Sequence, residues 1–198
     1  MDWPFGALPE NAYGLILADP PWKFLTRSAR GEGKSACRHY PTMTRAELYA
    51  LPVWRLAAPN AALCMWFTST SLPLALDLMK HWGFDYKSLG FWAKRSRSWT
   101  PAEPDPKWAF GTGYWAADCA EGYLWGARGR PLIHRGSERN LIEAARREHS
   151  EKPEEIYGKC ERMFPATRKL DLFSRQTRPG WDAWGDEAGK FDERAAPC

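Results

Sequence analysis

Long hydrophobic segments are absent from this chain of 198 residues. The longest uninterrupted apolar stretch, Ala61 to Phe67, is far shorter than the roughly 20 residues that cross a bilayer. The N-terminus also lacks the basic and then apolar order of a signal peptide. We therefore expect neither a membrane protein nor a secreted one, and we expect a cytoplasmic location.

Cysteine is scarce and irregularly spaced. The five cysteines stand at positions 37, 64, 119, 160 and 198, too far apart for a zinc site of the Cys-x-x-Cys type, and their odd number argues against a disulfide framework. We expect reduced thiols and no bound metal. The chain also lacks internal repeats, and its length fits one α/β domain. We expect a single domain over 1–198, with a core over about 13–187 and a flexible tail at 188–198.

Acidic residues are sparse in two parts of the chain, although the net charge is only +4. Residues 23–45 carry six lysines and arginines against Glu32 alone, and residues 128–147 carry six arginines against two glutamates. Two basic loops suggest a polyanionic substrate, but solvated basic loops are equally common. The twelve tryptophans are a large excess, so most must be core and several are candidates for stacking on bases.

Short apolar runs alternate with helical patterns along the chain. Gly14 to Ala18 ends abruptly at Asp19-Pro20-Pro21, as expected of a buried strand followed by a rigid loop. Further strands are predicted at 61–67, 84–93, 121–127 and 169–173, and helices at 44–50, 71–81 and 153–164. The first helix begins with a capping-box pattern at Thr44 and Glu47.

Two segments are harder to assign. Residues 141–147 fit a helix or a strand equally well, and residues 94–113, which contain three prolines, are expected to be a long mobile loop. The alternation of strands and helices predicts an α/β fold with a mostly parallel sheet covered by helices on both faces. Ligands bind such sheets beyond the carboxyl ends of the strands, where we expect Asp19 and residues 173–175.

The tetrapeptide Asp19-Pro20-Pro21-Trp22 is the most informative motif. Two prolines remove two backbone donors and leave carbonyl acceptors beside one carboxylate, which suits a substrate amine. In an aromatic amine such as N6 of adenine, the lone pair is delocalised into the ring. Acceptors from Asp19 and the Pro20 carbonyl would hold both N–H bonds and orient nitrogen for attack, with Trp22 stacked beside the base. The same four residues also fit a plain Pro-Pro turn.

Seven blocks then follow one another in order: Asp19-Pro20-Pro21-Trp22, Tyr40 to Met43 with Glu47-Leu48, Met65 to Thr68, Trp115 to Gly129, His149 to Gly158, Arg168 to Arg175, and Gly180 to Glu187. Together they resemble the family of N6-adenine methyltransferases typified by the seventy-kilodalton catalytic subunit of the eukaryotic mRNA methyltransferase, especially its bacterial and phage members. The resemblance covers about residues 14–187.

This resemblance implies a Rossmann-like methyltransferase that uses S-adenosylmethionine, with the catalytic motif before the cofactor-binding strand in circularly permuted order. It implies methylation of adenine N6 in DNA or RNA, with the tetrapeptide as the catalytic motif. The cofactor positions are Asp19, Lys152, Phe173, Arg175, Asp186 and Glu187, while Tyr40 and Glu121 match positions near the target adenine. A cation can pair with the methionine carboxylate, and acidic side chains can accept from ribose hydroxyls.

The sequence departs from the family pattern at three places. Ser174 stands where glycine is usual, residues 176–178 form a shorter polar loop than in the eukaryotic enzymes, and Asp186 stands where asparagine is common. Two other functions stay open: a silent nucleic-acid-binding partner subunit of the same fold, which would lack the catalytic tetrapeptide, and methylation of another amine such as cytosine N4. A homodimer or a related partner subunit is also open.

Overall fold

The computed structural model describes residues 3–23, 42–102, 107–111, 113, 115–134, 136, 138–147, 151–186, 188–190 and 192. The described residues form seven strands and four helices. The strands are β1 (Tyr13–Ala18), β2 (Ala57–Phe67), β3 (Asp85–Arg95), β4 (Ala120–Arg128), β5 (Leu141–Ala145), β6 (Lys169–Leu172) and β7 (Trp181–Trp184). The helices are α1 (Arg45–Ala50), α2 (Val53–Leu56), α3 (Leu72–His81) and α4 (Glu155–Met163).

All seven strands belong to one mixed sheet, in the order β5-β3-β4-β2-β1-β6-β7. Strand β4 runs antiparallel to both of its neighbours, β2 and β3. The other adjacent strands pair in parallel. The expectation of a mostly parallel sheet is therefore confirmed, with β4 as the one reversed strand among the described residues.

The two faces of the sheet carry separate cores. In β1, Ile16 and Ala18 belong to the core packed under α1, α2 and α3, which we call the first face. Leu15 and Leu17 alternate with them and belong to the core packed under α4, the second face. Because successive side chains of a strand point to opposite faces, a continuous apolar run is what a strand between two helical layers requires. Helices on both faces are thus confirmed.

Local sequence signals set several element boundaries. At α1, the Thr44 hydroxyl accepts from the backbone N–H of Glu47, whose carboxylate accepts from the backbone N–H of Thr44, so the predicted capping box is present. Helix α3 ends before Gly83, whose φ of +83° is a left-handed conformation that favours glycine. The ambiguous segment 141–147 contains β5, because it pairs in parallel with β3.

Three features differ from the sequence-based expectations. The long loop expected from residue 94 begins later, because β3 continues through Arg95. The chain then returns, and Trp108 forms an antiparallel bridge with Arg95. Helix α2 and strand β7 were not predicted; β7 pairs with β6 directly after a turn at Gly180. Among the described helices, none is long and apolar enough to span a membrane.

Candidate active site

Four segments that are far apart in sequence meet at the carboxyl edge of the central strands. Asp19 follows β1 and residues 173–175 follow the adjacent β6, as we predicted. Lys152 precedes α4. Glu121 reaches the same edge because β4 is antiparallel, so that its first residues lie beside the last residues of β2 and β3.

Carboxylates and ammonium groups alternate across this edge. The Nζ of Lys152 lies 2.9 Å from Oδ2 of Asp19 and 2.8 Å from Oε1 of Glu121. The other carboxylate oxygen of Glu121, Oε2, accepts from the Nζ of Lys94 at 2.6 Å. Each oxygen of Glu121 therefore has its own ammonium partner, which locks the carboxylate in one orientation.

The pKa values follow from burial and from this alternation. Burial alone raises the pKa of Glu121, but Lys152 and Lys94 outweigh it and hold that pKa at about 2. Burial also lowers the pKa of the Lys152 ammonium, but the two carboxylates more than compensate and raise it. For Asp19, burial dominates and raises the pKa, with Lys152 opposing it. Lys152 and Glu121 are thus charged at neutral pH, and Asp19 is the carboxylate of the cluster that protonates most readily.

A cleft opens beside these charges. Asp19 and Lys152 line it, together with Phe173 and Arg175 from the turn after β6, so four of the predicted cofactor residues share one cavity. The rest of its wall is formed by Leu17, Trp66, Glu151, Tyr157, Asp171, Ser174 and Gln176. The Lys152 ammonium lies 5.4 Å from the centre of the Trp66 ring, so it is held between a carboxylate and an aromatic face.

Buried hydrogen bonds hold the turn that carries Phe173. Oδ2 of Asp171 accepts from the hydroxyl of Tyr157 at 3.0 Å and from the hydroxyl of Ser174 at 2.8 Å. Phe173 itself has a φ of +67°, which is unusual for a residue with a large side chain. Burial raises the pKa of Asp171 to about 6, although its two hydroxyl donors lower it. The turn is therefore held in a strained form by contacts to α4 and β6.

The tetrapeptide is more tightly engaged than its sequence suggests. The Pro20 carbonyl accepts from the backbone N–H of Trp22 at 2.8 Å, and the Pro21 carbonyl accepts from that of Met43 at 2.9 Å. Trp22 is only 5% exposed and its indole N–H donates to the Trp66 carbonyl at 3.2 Å. Trp22 was expected to stack beside the target base; its ring belongs to the first-face core and fixes the loop after β1 against β2.

Comparison with known proteins places this arrangement in a family. Residues 13–187 match the MT-A70 family. The chain belongs to the MT-A70 family. It is 32% identical to the Type II methyltransferase M.MunI of Mycoplasma sp over 94% of this chain and 82% of that protein.

Longer plant and animal MT-A70 proteins are also similar. A putative N(6)-adenosine-methyltransferase MT-A70-like protein of Medicago truncatula is 29% identical over 88% of this chain, which spans 26% of that protein. The N(6)-adenosine-methyltransferase catalytic subunit METTL3 of Homo sapiens is 28% identical over 88% of this chain, which spans 28% of it. As a member of this family, the chain is an N6-adenine methyltransferase.

Other residues that the MT-A70 resemblance singled out lie apart from the cleft or outside the described part of the chain. Tyr40 and Glu187 are outside the described residues, as is most of the segment 188–198. Asp186 is exposed and follows β7 rather than lining the cleft. It still lies next to the turn, because a Cβ on the preceding Gly185 would come within 2.6 Å of the Ser174 carbonyl oxygen.

Three residues of the candidate site were given no role by the sequence reasoning. Lys94 was assigned to a loop, whereas it lies in β3 and binds Glu121. Asp171 stood inside a recognised block, and Tyr157 in another, but neither had been given a role. A carboxylate at the end of a buried strand, two residues before Phe173, is a signal that could have identified Asp171, because a buried charge needs partners.

Proposed function

We propose that the cleft binds S-adenosylmethionine and that Asp19 presents the target amine of adenine to it. The observation that carries this proposal is the Lys152 ammonium, held 2.9 Å from Asp19 and 2.8 Å from Glu121 at the mouth of a cleft that Phe173 and Arg175 also line. The position of this ammonium supports a site that binds the zwitterionic amino-acid part of the cofactor next to the target amine.

The residues of the cleft suit the chemistry of the cofactor. Lys152 and Arg175 supply cations for its methionine carboxylate, and Asp19 supplies an acceptor for its ammonium group. Phe173, whose φ of +67° is supported by the Asp171 hydrogen bonds, offers an aromatic ring to the adenosine part. Asp186 and Glu187 are proposed as acceptors for ribose hydroxyls. When bound, S-adenosylmethionine supplies an electrophilic methyl group to the amine.

Asp19 has two tasks toward the target amine in this proposal, besides its contact with the cofactor ammonium. Its carboxylate accepts an N–H bond of the target amine, and the Pro20 carbonyl, which has a second lone pair beside its bond to Trp22, accepts the other. Both bonds favour a nitrogen lone pair that points out of the ring system. Methylation leaves the nitrogen with one proton too many, and the raised pKa of Asp19 suits it to take that proton.

Glu121 and Lys94 are proposed to border the pocket for the target base. Because two ammonium groups hold the Glu121 carboxylate in place, it forms a rigid wall next to Asp19. Tyr40 is proposed as a further neighbour of the base. We also propose that the motif order is circularly permuted, with the Asp19 motif before the cofactor turn after β6.

The proposed substrate is nucleic acid in which the adenine is unpaired. The basic segments at 23–45 and 128–147 favour phosphate contacts over base-edge reading. A paired adenine would have to leave the duplex at a cost of a few kcal/mol. Because Asp19-Pro20-Pro21-Trp22 is intact, a silent partner subunit is the less favoured alternative.

The test is to incubate the protein with methyl-labelled S-adenosylmethionine and, separately, single-stranded DNA, duplex DNA and RNA. Digestion to nucleosides and mass spectrometry should place the label on N6-methyladenine, with Asp19→Ala as the inactive control. Label on N4-methylcytosine would assign the other amine chemistry. Absence of label from every nucleic acid, with S-adenosylmethionine bound, would refute the proposed substrate.

A further inference from the structure

An exposed tryptophan packs against a buried arginine at the end of β3. The guanidinium carbon of Arg95 is 3.4 Å from the centre of the Trp108 ring. Arg95 is itself only 7% exposed, whereas Trp108 is 51% exposed. One face of the indole therefore rests on a cation, and much of the remaining ring is open to solvent.

This ring is held by a rigid support. Nε and Nη2 of Arg95 donate to Oε1 of Glu143 at 2.8 and 2.6 Å, which fixes the guanidinium to β5. The backbone on either side of Trp108 pairs with the end of β3: the N–H of Ser96 donates to the Lys107 carbonyl at 2.7 Å, and the N–H of Ala109 donates to the Lys94 carbonyl at 2.8 Å. Little conformational entropy is left for the ring to lose when it binds a partner.

The surroundings of the ring are basic and aromatic. The described residues of 94–102 and 107–111 carry four basic side chains and no acidic one. Two of the four, Lys94 and Arg95, are paired with glutamates, and Glu103 and Asp105 stand between the two ranges in the sequence. Arg97 and Lys107 are on the exposed side, and Phe110 beyond them is 76% exposed. An exposed aromatic ring among cations is the composition of surfaces that bind single-stranded nucleic acid, where bases stack and phosphates pair with cations.

The ring lies at the end of the strand that also carries Lys94 of the candidate active site. Arg95 follows Lys94, whose ammonium binds Glu121. The two side chains point to opposite faces of β3, so Trp108 lies across the strand from the charge cluster. A nucleic-acid strand that contacts both must therefore cross the end of β3 at the carboxyl edge of the sheet.

We propose that Trp108, supported by Arg95, is a stacking platform for an unpaired base that flanks the target adenine. This inference rests on the proposed function, because it assigns a second contact to the same substrate. The proposed occupant of this face is a single-stranded nucleic-acid segment and not another protein. Trp108 binds and positions the substrate and takes no part in methyl transfer itself.

The chain offers a matched control for the test. Trp54 is 49% exposed, nearly the same as Trp108, but it lies in α2, before the start of β2 and away from the carboxyl edge. We would measure binding of a short fluorescein-labelled single-stranded DNA by anisotropy, without S-adenosylmethionine, for wild type, Trp108→Ala, Trp108→Phe and Trp54→Ala. Analytical ultracentrifugation of each variant would report its oligomeric state.

Trp108→Ala should weaken binding by on the order of tenfold to a hundredfold, whereas Trp108→Phe should retain most of the affinity and Trp54→Ala all of it. An abasic site beside the adenine should weaken binding to wild type to a similar extent. In Trp108→Ala the same abasic site should cause little further loss, because the stacking partner is already gone.

Equal binding by wild type and Trp108→Ala would overturn the platform. So would a change of oligomeric state in Trp108→Ala with DNA affinity unchanged, since that outcome assigns the ring to a protein contact. Methyl transfer is measured separately on the same variants with saturating DNA. If Trp108→Ala binds DNA with unchanged affinity and transfers methyl groups at the normal rate, the stacking platform is refuted and the proposed function is not.

Discussion

The Nζ of Lys152 and Oδ2 of Asp19 are 2.9 Å apart, although the two residues are far apart in the sequence. The pair joins the loop after β1 to the segment before α4, and the Lys152 side chain is only 10% exposed. Because Lys152 also binds Glu121, removal of any one of these three groups changes the charge balance of the others. The predictions below follow from this site, from the Asp171 hydrogen bonds and from the basic segments of the chain.

Asp19→Ala should lower kcat/KM for methyl transfer by on the order of a hundredfold or more, because it removes the acceptor that orients the amine. Lys152 keeps Glu121 as a partner, so the fold should remain intact. Steady-state kinetics and circular dichroism measure the two effects. A variant with near-normal turnover would show that the amine is held elsewhere.

Lys152→Ala should weaken S-adenosylmethionine binding and also destabilise the protein, since it leaves two carboxylates facing each other. Removal of one partner from a buried ion pair costs about 3 kcal/mol, or a fall in Tm of roughly 6–12 °C for a domain of this size. Calorimetric titration and thermal melts check both. Lys152→Arg is the control and should restore most of the Tm.

Arg175→Ala should weaken S-adenosylmethionine binding with little change in Tm, because Arg175 is proposed to contact the ligand and is not part of the buried core. The same calorimetric titration measures this effect. Unchanged affinity and unchanged rates for both Lys152→Ala and Arg175→Ala would remove the two cations from the proposed cofactor site.

Asp171 should make the folded state less stable as the pH rises from about 4 to about 6. Burial raises its pKa from 3.8 to about 6 in the folded protein, so the folded state binds the proton more tightly than the unfolded state does in this window. The stabilisation that protonated Asp171 contributes is fully present below pH 4 and is lost as the pH rises through 6. The free energy of unfolding falls by at most about 3 kcal/mol over this range. Asp171→Asn should flatten this part of the pH dependence, which unfolding in urea at several pH values would measure. The same slope in both proteins would rule Asp171 out as its source.

Ser174→Ala should raise the KM for S-adenosylmethionine more than it lowers kcat. Its hydroxyl lies within donor distance of Oδ2 of Asp171 at 2.8 Å and of the Gln176 carbonyl oxygen at 2.6 Å, and it accepts from the backbone N–H of Gln176 at 3.3 Å. Its loss therefore loosens the turn that presents Phe173. One lost hydrogen bond to a buried carboxylate costs about 1.5–3 kcal/mol. Ser174→Thr keeps the hydroxyl and should behave more like wild type. An unchanged KM in Ser174→Ala would show that the turn is held without this bond.

Nucleic-acid binding should weaken steeply as salt is raised, and unpaired substrate should be methylated at least as fast as duplex. Phosphate contacts by basic segments release counterions, so the logarithm of the binding constant should fall linearly with the logarithm of salt concentration. Binding at several salt concentrations and initial rates on matched single-stranded and duplex DNA check both. A strict requirement for one long duplex site, with little salt dependence, would contradict this prediction.

Several elements could be predicted because their signals are local. The apolar run at 14–18, the capping box at Thr44 and Glu47, and the turn at Gly83 each depend on residues that are neighbours in the chain. The Asp19 tetrapeptide and the blocks around Lys152 and Phe173 likewise indicated the family and the chemistry. For these features, the sequence alone was sufficient.

Other features required the tertiary structure, because they depend on which segments meet. The reversed direction of β4 brings Glu121 to the edge that carries Asp19, and no local pattern encodes the direction of a strand relative to its neighbours. Trp22 was expected to stack beside the base, and only the structure shows that its ring is buried and bonded to β2, because that environment is not set by the adjacent prolines. The segment 141–145 became a strand only because the edge of β3 was available to it. The residues of the site are therefore determined locally, whereas their partners are determined by long-range pairing in the sheet.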